Sequence, residues 1–445
     1  MVPETDLDRG IVGWNGQADP ELPWNFSKFQ KWSLLGQISA ITFISPLASS
    51  IFAPGLSYME EFHNSDNLLA SFTVSVFILG YAIGPLFLAP VSEMWGRRPV
   101  LSTANGFFTV WQIGCALAPN LGSLIAFRFL AGCGGAGALT LIGGVTADLF
   151  VPQERGLANS IAAVLLIASA TIGVLLEIFN KETYAPVLIA RRTSRLRKEL
   201  NRTDLYSCYE DREQSQTPSA RFKQALSRPL RMLFLSPIIA ICSFYVAVIY
   251  GELYLLLTTV SSVYQSSYHW APELTGLATL GIGLGSIAGL AFVGSTSDKT
   301  VAILTRKNNN IYEPEMRLPS MIFFAMLIPI AFFWYGWTAE KHAHWIVLML
   351  AQIPFGLGIM GIAFPIQIYL IDAFSLHAAS AMAALTVSRS LFGALLPLPA
   401  PRMYKALGLG WGNSILGFLA VCMIPVPYVL WKFGGKIRKE HPIVL

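Results

Sequence analysis

The sequence predicts an all-α integral membrane protein built as two helical bundles, and three observations carry that reading. Apolar residues make up 54% of the 445-residue chain and charged residues only 13%, against roughly 25% charged in soluble domains. The apolar residues fall in long runs, near the ~20 residues that a bilayer requires. A charged stretch rich in Arg, Ser and Glu divides these runs into two groups, residues 32–179 and 233–431.

Along the chain, residues 1–31 form a polar tail with no signal-peptide apolar core. The first bundle then reads as spans Trp32–Leu56, Leu69–Met94, Val100–Ala118, Leu121–Leu149 and Ile161–Phe179. Residues 180–232 read as a central loop. The second bundle reads as Leu233–Val260, Leu274–Val293, Leu318–Trp337, Trp345–Ile371, Ala378–Leu398 and Trp411–Trp431, followed by a polar tail at 432–445. This makes eleven spans. Tryptophans recur at span ends (Trp32, Trp95, Trp270, Trp337, Trp345, Trp411, Trp431), as an interfacial belt predicts.

Charge sets the orientation. With both tails and the central loop on one side, 26 of 31 Lys and Arg lie there, twelve of them between Lys181 and Arg231. The first loop on the other side, Glu60–Asp66, is acidic and holds no base. Basic residues concentrate on the cytoplasmic side of membrane proteins, so the tails and central loop are expected in the cytosol. The basic residues sit where orientation needs them, so the net charge of +5 is no sign of nucleic acid. Cys115, Cys133, Cys208, Cys242 and Cys422 form neither a disulfide framework nor a metal spacing. No Walker motif, HExxH pair or nucleophile–base constellation occurs, so no enzyme chemistry and no cofactor is expected. Gly132-Cys-Gly-Gly-Ala-Gly137 matches a dinucleotide fingerprint but lies inside an apolar run without a preceding strand. Close helix packing through small residues is the better account, as it is for Gly281, Gly285 and Gly289.

The segment Gly84-Pro-Leu-Phe-Leu-Ala-Pro-Val-Ser-Glu-Met-Trp-Gly96-Arg97-Arg98-Pro99 joins two spans by a very short basic turn. Glu93, Gly96, Arg97 and Arg98 read as a latch whose charges pair with neighbouring helix ends. Gly294-Ser-Thr-Ser-Asp298-Lys299 repeats the spacing of Ala89 to Glu93 in the second half, with Asp298 in the acid position.

The Gly96 turn resembles the signature loop between helices 2 and 3 of the major facilitator superfamily. Over nearly the whole chain the sequence is similar to the fungal branch of its twelve-span drug:proton antiporters. The matching stretches are Thr42-Phe-Ile-Ser-Pro-Leu-Ala-Ser-Ser-Ile-Phe-Ala-Pro-Gly55, Phe127-Arg-Phe-Leu-Ala-Gly132, Glu177-Ile-Phe-Asn-Lys-Glu-Thr-Tyr-Ala-Pro186, Ala378-Ala-Ser-Ala-Met-Ala-Ala384 and Arg389-Ser-Leu-Phe-Gly393. The resemblance implies a parallel internal repeat with substrate bound near the midplane between the halves. It implies a monomeric plasma-membrane transporter that exchanges protons for small amphipathic organic compounds, drugs or fungal secondary metabolites. It also implies a proton-coupling role for Arg128, which matches the family's buried arginine in helix 4.

Charges within spans cost about 2.5–3.5 kcal/mol each at the bilayer centre. Glu252, in Tyr250-Gly-Glu-Leu-Tyr254, is such a charge and is not part of the resemblance. It can carry a proton, bind a cation, or bond a neighbouring helix hydroxyl. Arg389 reads as structural. Asp148, Glu177 and Asp372 lie near span ends and read as caps or latch partners. Thr42, Ser45 and Ser49 share one helix face that either lines a cavity or packs on a neighbour. Tyr245, Tyr250 and Tyr254 offer aromatic contact to a ligand.

One feature conflicts with a complete transporter. The basic segments at Glu154-Arg155 and Arg191–Lys198 both read as cytoplasmic, so an even number of spans must join them. Only Ile161–Phe179 lies between, and two spans need about 40 residues. By resemblance Gly156–Val164 opens helix 5 and Leu165–Glu177 ends helix 6, so most of helix 5 and the start of helix 6 are missing, with the family's antiporter signature. Two rivals to a transporter stay open: a non-transporting truncated or mis-spliced product, and a membrane sensor that binds ligand without moving it. If the central loop stays inside, Asn201-Arg-Thr203 is not glycosylated and the first bundle is expected to misassemble.

Overall fold

The structure, a computed structural model, describes residues 3–50, 67–149, 182–209, 218–374 and 377–440. The expected span Ile161–Phe179, Glu177 and the acidic loop Glu60–Asp66 lie outside these residues.

The first bundle contributes α1 (Lys28–Ser50), α2 (Asn67–Trp95), α3 (Arg97–Ala116) and α4 (Leu121–Leu149). A reciprocal cap opens α1: the Gln30 N–H donates to Ser27 Oγ at 3.3 Å, and the Ser27 N–H to Gln30 Oε1 at 3.2 Å. Glycines bring the helices to backbone contact. A Cβ on Gly80 or Gly84 of α2 would collide with the backbone at Gly132 and Cys133 of α4. One on Gly134 would meet the Phe108 backbone of α3, and one on Gly135 would meet Ser45 of α1. The fingerprint-like glycines are thus a packing face shared by four helices. Among the described residues α1–α4 pack on one another; the shortened stretch from which misassembly was expected lies outside them.

The second bundle contributes α7 (Pro237–Tyr268), α8 (Leu280–Lys307), α9 (Met321–Glu340), α10 (Trp345–Ala373), α11 (Ala378–Leu395), α12 (Ala400–Met423) and α13 (Pro425–Glu440). Ser236 caps α7, its Oγ accepting from the Ile239 N–H at 3.4 Å. Gly281, Gly285 and Gly289 lie against the α10 backbone at Met349, Ile353 and Leu357. The expected span Trp411–Trp431 is instead made from two helices. α12 breaks at Gly408, whose φ of +74° favours glycine. The Glu340 carboxylate then caps the resumed helix, accepting from Leu409 N–H at 2.7 Å and Gly410 N–H at 3.1 Å. Pro425 opens α13 at a position where its missing N–H costs nothing.

Eight described stretches are long and apolar enough to cross a membrane. α1 and α3 are not among them, yet they pack within the same bundle. The halves meet where α11 packs on α2 and α4, around buried Ala89, Ala379 and Ala383.

The central stretch, expected as a loop, is ordered where it is described. It holds α5 (Ala185–Glu199), α6 (Pro218–Leu235) and strand β2 (Tyr206–Ser207), which pairs in parallel with β1 (Ile11–Val12) of the N-terminal tail. Trp14 and Leu22 of the tail bury against Ile189 and Leu205. Arg192 Nη1 lies 2.6 Å from Asp19 Oδ2. Burial acts to raise the Asp19 pKa, but bonds from the Asn15 and Glu21 N–H groups and from Arg192 hold it below the ordinary value. Tail and central stretch therefore share one end of the molecule. Thr183 Oγ1 also approaches Asp148 Oδ2 at 3.4 Å. The end of α4 and the start of the central stretch therefore lie together at that end.

Candidate functional site

Two features bring sequence-predicted residues together: the latch at the end where the tail docks, and a cavity between the halves.

In the latch, Gly96 takes φ +99°, and a Cβ there would strike the Glu182 carboxylate. That carboxylate caps α3, accepting from Arg97 N–H at 2.9 Å and Arg98 N–H at 3.3 Å, as an anion at a helix N-terminus should. The buried Arg97 guanidinium donates from Nε to Asp148 at 3.3 Å and from Nη1 to Ser92 Oγ at 2.8 Å, and lies 4.4 Å from the centroid of the Tyr184 ring. The Arg98 side chain is exposed, and only its backbone joins the latch, contrary to the role expected for its charge.

The second half repeats the core of this unit: as Arg97 bonds Ser92 and Asp148, Arg317 bonds Ser297 and Asp372. Arg317 donates to Ser297 at 3.3 Å, Asp298 at 3.0 Å and Asp372 at 2.7 Å. Burial works against the Arg317 charge, but Asp372 and its other partners hold its pKa above the ordinary value.

The halves differ in where the first acid points. Asp298 stays on its own arginine, whereas Glu93 crosses to the other half. Its carboxylate accepts from Ser380 N–H at 3.1 Å and Ser380 Oγ at 2.9 Å, both at the start of α11. It also pairs with Arg228 of α6 at 2.8 Å. His377 lies 3.4 Å from the same Arg228 Nη1. Burial and then Arg228 push the His377 pKa down, while Glu93 opposes them. Sequence spacing pointed to Glu93 as a latch acid; Glu182 and Ser380 lie in family-matching stretches and Arg228 and His377 do not, and no local pattern announces that these distant residues meet at the latch.

The cavity occupies about 250 Å3 and is lined from α1, α2 and α4 on one side and α7, α10 and α11 on the other. Ser49, Tyr250 and Tyr254, three of the expected cavity residues, line it. Tyr250, Leu253, Tyr254 and Leu257 form its α7 wall at positions i, i+3, i+4 and i+7, one helix face. Ser45 stands one contact behind, bonded at 2.6 Å to the lining Tyr81 hydroxyl. Ser49 donates to the Pro46 carbonyl of its own helix at 2.7 Å. Thr42 bonds back to the Ile38 carbonyl of its own helix at 2.7 Å, and Tyr245 is buried, and neither lines the cavity. Arg389, expected as structural, does line it: its guanidinium sits 4.9 Å from the Tyr250 ring centroid. The mid-span charge was visible in the sequence, but which face of α11 carried it was not. A larger open cleft, about 520 Å3, lies between the tail and α5. It is outside the bundle interface, so the smaller cavity is the candidate ligand site.

The expected coupling residues lie apart from the cavity. Arg128 is fully buried and bridges three helices, donating to the Thr73 carbonyl at 3.1 Å, Ala48 at 3.0 Å and Ser49 at 3.2 Å, with its guanidinium 4.7 Å from the Phe77 ring centroid. Glu252 sits two residues from Tyr250, off the cavity face of α7. It is fully buried, and neither carboxylate oxygen has a hydrogen-bond partner among the described residues.

A family profile, the Major Facilitator Superfamily, matches residues 38–179 and 187–397. The chain is 43% identical over 456 residues to MFS transporter cpaT of Aspergillus oryzae, covering 96% of this chain and 91% of that protein. It is 42% identical over 460 residues to MFS-type transporter penM of Penicillium rubens, covering 97% and 90%. Both alignments are longer than the 445 residues of the chain, so each relative holds positions without a counterpart here. Among solved structures, the proton:xylose symporter XylE bound to 6-bromo-6-deoxy-D-glucose shares the fold, with TM-score 0.67 and 16% identity over 91% of this chain and 95% of that one.

Proposed function

The chain belongs to the major facilitator superfamily and is a multi-pass membrane transporter, and from that premise we propose that it exports small amphipathic organic compounds in exchange for protons. The observation that carries the proposal is the cavity walled by three helices of each half, with the halves tied at the latch end through Glu93, Ser380 and Arg228. The positive-inside distribution assigns the latch end to the cytosol. The described conformation is then closed to the cytosol, and breaking the Glu93 contacts admits substrate from that side. The chain acts as a monomer at the plasma membrane and makes or breaks no covalent bond in its cargo.

Coupling is assigned to Arg128 and Glu252. Arg128 ties α1, α2 and α4 by charge-assisted bonds, so it links the cavity wall of the first half to a cation. Glu252 is a buried carboxylate without a partner among the described residues, which makes it the candidate proton carrier of the second half. The test is drug accumulation in efflux-deficient yeast. Arg128→Ala should abolish energised efflux, and Glu252→Gln, which keeps the shape without titrating, should flatten its pH dependence. A full pH response in Glu252→Gln removes Glu252 from the coupling route.

A second reading, a non-transporting product, is favoured by one observation: the alignments run longer than the chain, and residues 150–181 fall short of two spans. Flux by the purified protein separates the two.

A further inference from the structure

We propose that the central cavity selects organic anions, aromatic carboxylates of one or two rings, and that Arg389 reads their charge. The proposal rests on the transporter reading of that cavity and adds the class of cargo.

Arg389 is 7% exposed on α11 and lines the cavity. The other buried arginines of the bundles are compensated: Arg97 by Asp148, Arg317 by Asp298 and Asp372, Arg128 by three backbone carbonyls. Arg389 has no carboxylate within ion-pair distance among the described residues. Its polar contact is a single 3.4 Å approach to the Tyr250 hydroxyl, with the Tyr250 ring beside it. A guanidinium carries five donors in a fixed fork, and a carboxylate fills two of them at once in the strongest geometry open to it.

The rest of the lining agrees. It holds hydroxyls and apolar groups but no Asp or Glu among the described residues. Tyr81, Tyr250 and Tyr254 supply flat apolar surface with a polar rim. Tyrosine rings also attract cations, but Arg389 already occupies the Tyr250 ring, and its charge repels a second cation nearby. The volume of about 250 Å3 is just below the ~300–1,000 Å3 of ordinary small-molecule sites. That limits the cargo to a compact ring system. Glu252 does not neutralise Arg389, since it lies off the cavity face of α7.

The test is equilibrium binding of two fluorescent probes of matched shape, 7-methoxycoumarin-3-carboxylate and 7-methoxycoumarin-3-carboxamide, to the full purified chain in nanodiscs. The wild-type chain should bind the carboxylate about tenfold or more tightly than the amide, the gain expected of a charge-assisted bond over a neutral one. Arg389→Gln should erase that ratio, Arg389→Lys should keep part of it, and Tyr254→Trp, which fills the cavity, should block both probes. Equal binding of the two probes by the wild-type chain overturns the anion assignment, and so does an unchanged ratio in Arg389→Gln. If Tyr254→Trp still blocks binding in those cases, the cavity reading stands and only the anion class fails. If neither probe binds in a Tyr254-sensitive way, the cavity reading falls as well.

Discussion

Replacing Glu93 by glutamine tests the latch with the least change of shape. The Glu93 carboxylate is only 4% exposed and accepts from three donors: Ser380 N–H, Ser380 hydroxyl and Arg228 Nη1. A hydrogen bond to a charged group contributes about 1.5–3 kcal/mol and a neutral one about 1 kcal/mol. Glu93→Gln therefore removes about 1 kcal/mol per bond, and about 2–3 kcal/mol in all. Each 1.4 kcal/mol is tenfold, so the open latch should gain roughly 30–150-fold in population relative to the closed one. The reporter is Ala379→Cys, at a position that is 0% exposed beside Ser380, in a chain whose native cysteines are replaced by serine. A membrane-impermeant maleimide should label it faster in Glu93→Gln by that factor, in detergent where both faces are accessible. Equal labelling rates with and without the Glu93 carboxylate would refute the idea that it holds the halves together.

Arg97→Ala should cost about 3–5 kcal/mol, as breaking a buried ion pair does. Transport should fall while the membrane-inserted fraction stays constant, and unchanged flux removes Arg97 from the latch. His377 gives the latch a pH dependence whose sign follows from its surroundings. Arg228 on α6 and Glu93 on α2 face it, and its pKa sits below the ordinary 6.5. The closed latch thus prefers neutral His377, so its stability is present above pH 6.5 and declines as pH falls below that value. Ala379→Cys labelling should rise over that window, and a flat profile, or a rise that persists in His377→Gln, contradicts the assignment. Asn201 lies in the unit that docks the N-terminal tail, so its sequon should stay bare. A glycosidase-sensitive mass shift lost in Asn201→Gln would place that unit on the other side.

Much of this architecture is legible in the sequence because a bilayer forces it. Helices must satisfy their own backbone groups there, so long apolar runs mark α2, α4 and α7–α11 directly. Glycine spacing announced the α8–α10 contact, and the Ala89–Glu93 repeat announced the second latch. The sequence was silent where partners come from afar. Glu93 has a local pattern, but its crossing to Ser380 depends on how the halves dock. Arg389 and Arg128 look alike as mid-span cations, yet one faces the cavity and the other faces backbone carbonyls. Helix rotation decides that difference, and α11 has apolar and small residues on every side. The central stretch read as a loop because its charges hide two features, a basic amphipathic helix and a strand whose partner lies near residue 11.

The most direct measurement is flux through the purified, full chain reconstituted in liposomes under an imposed proton gradient, with an aromatic carboxylate as cargo. Movement that follows the gradient, stops with a protonophore and is lost in Tyr254→Trp is the predicted result. A folded, correctly inserted chain that moves no cargo under the same gradient would contradict the account and leave a non-transporting product in its place.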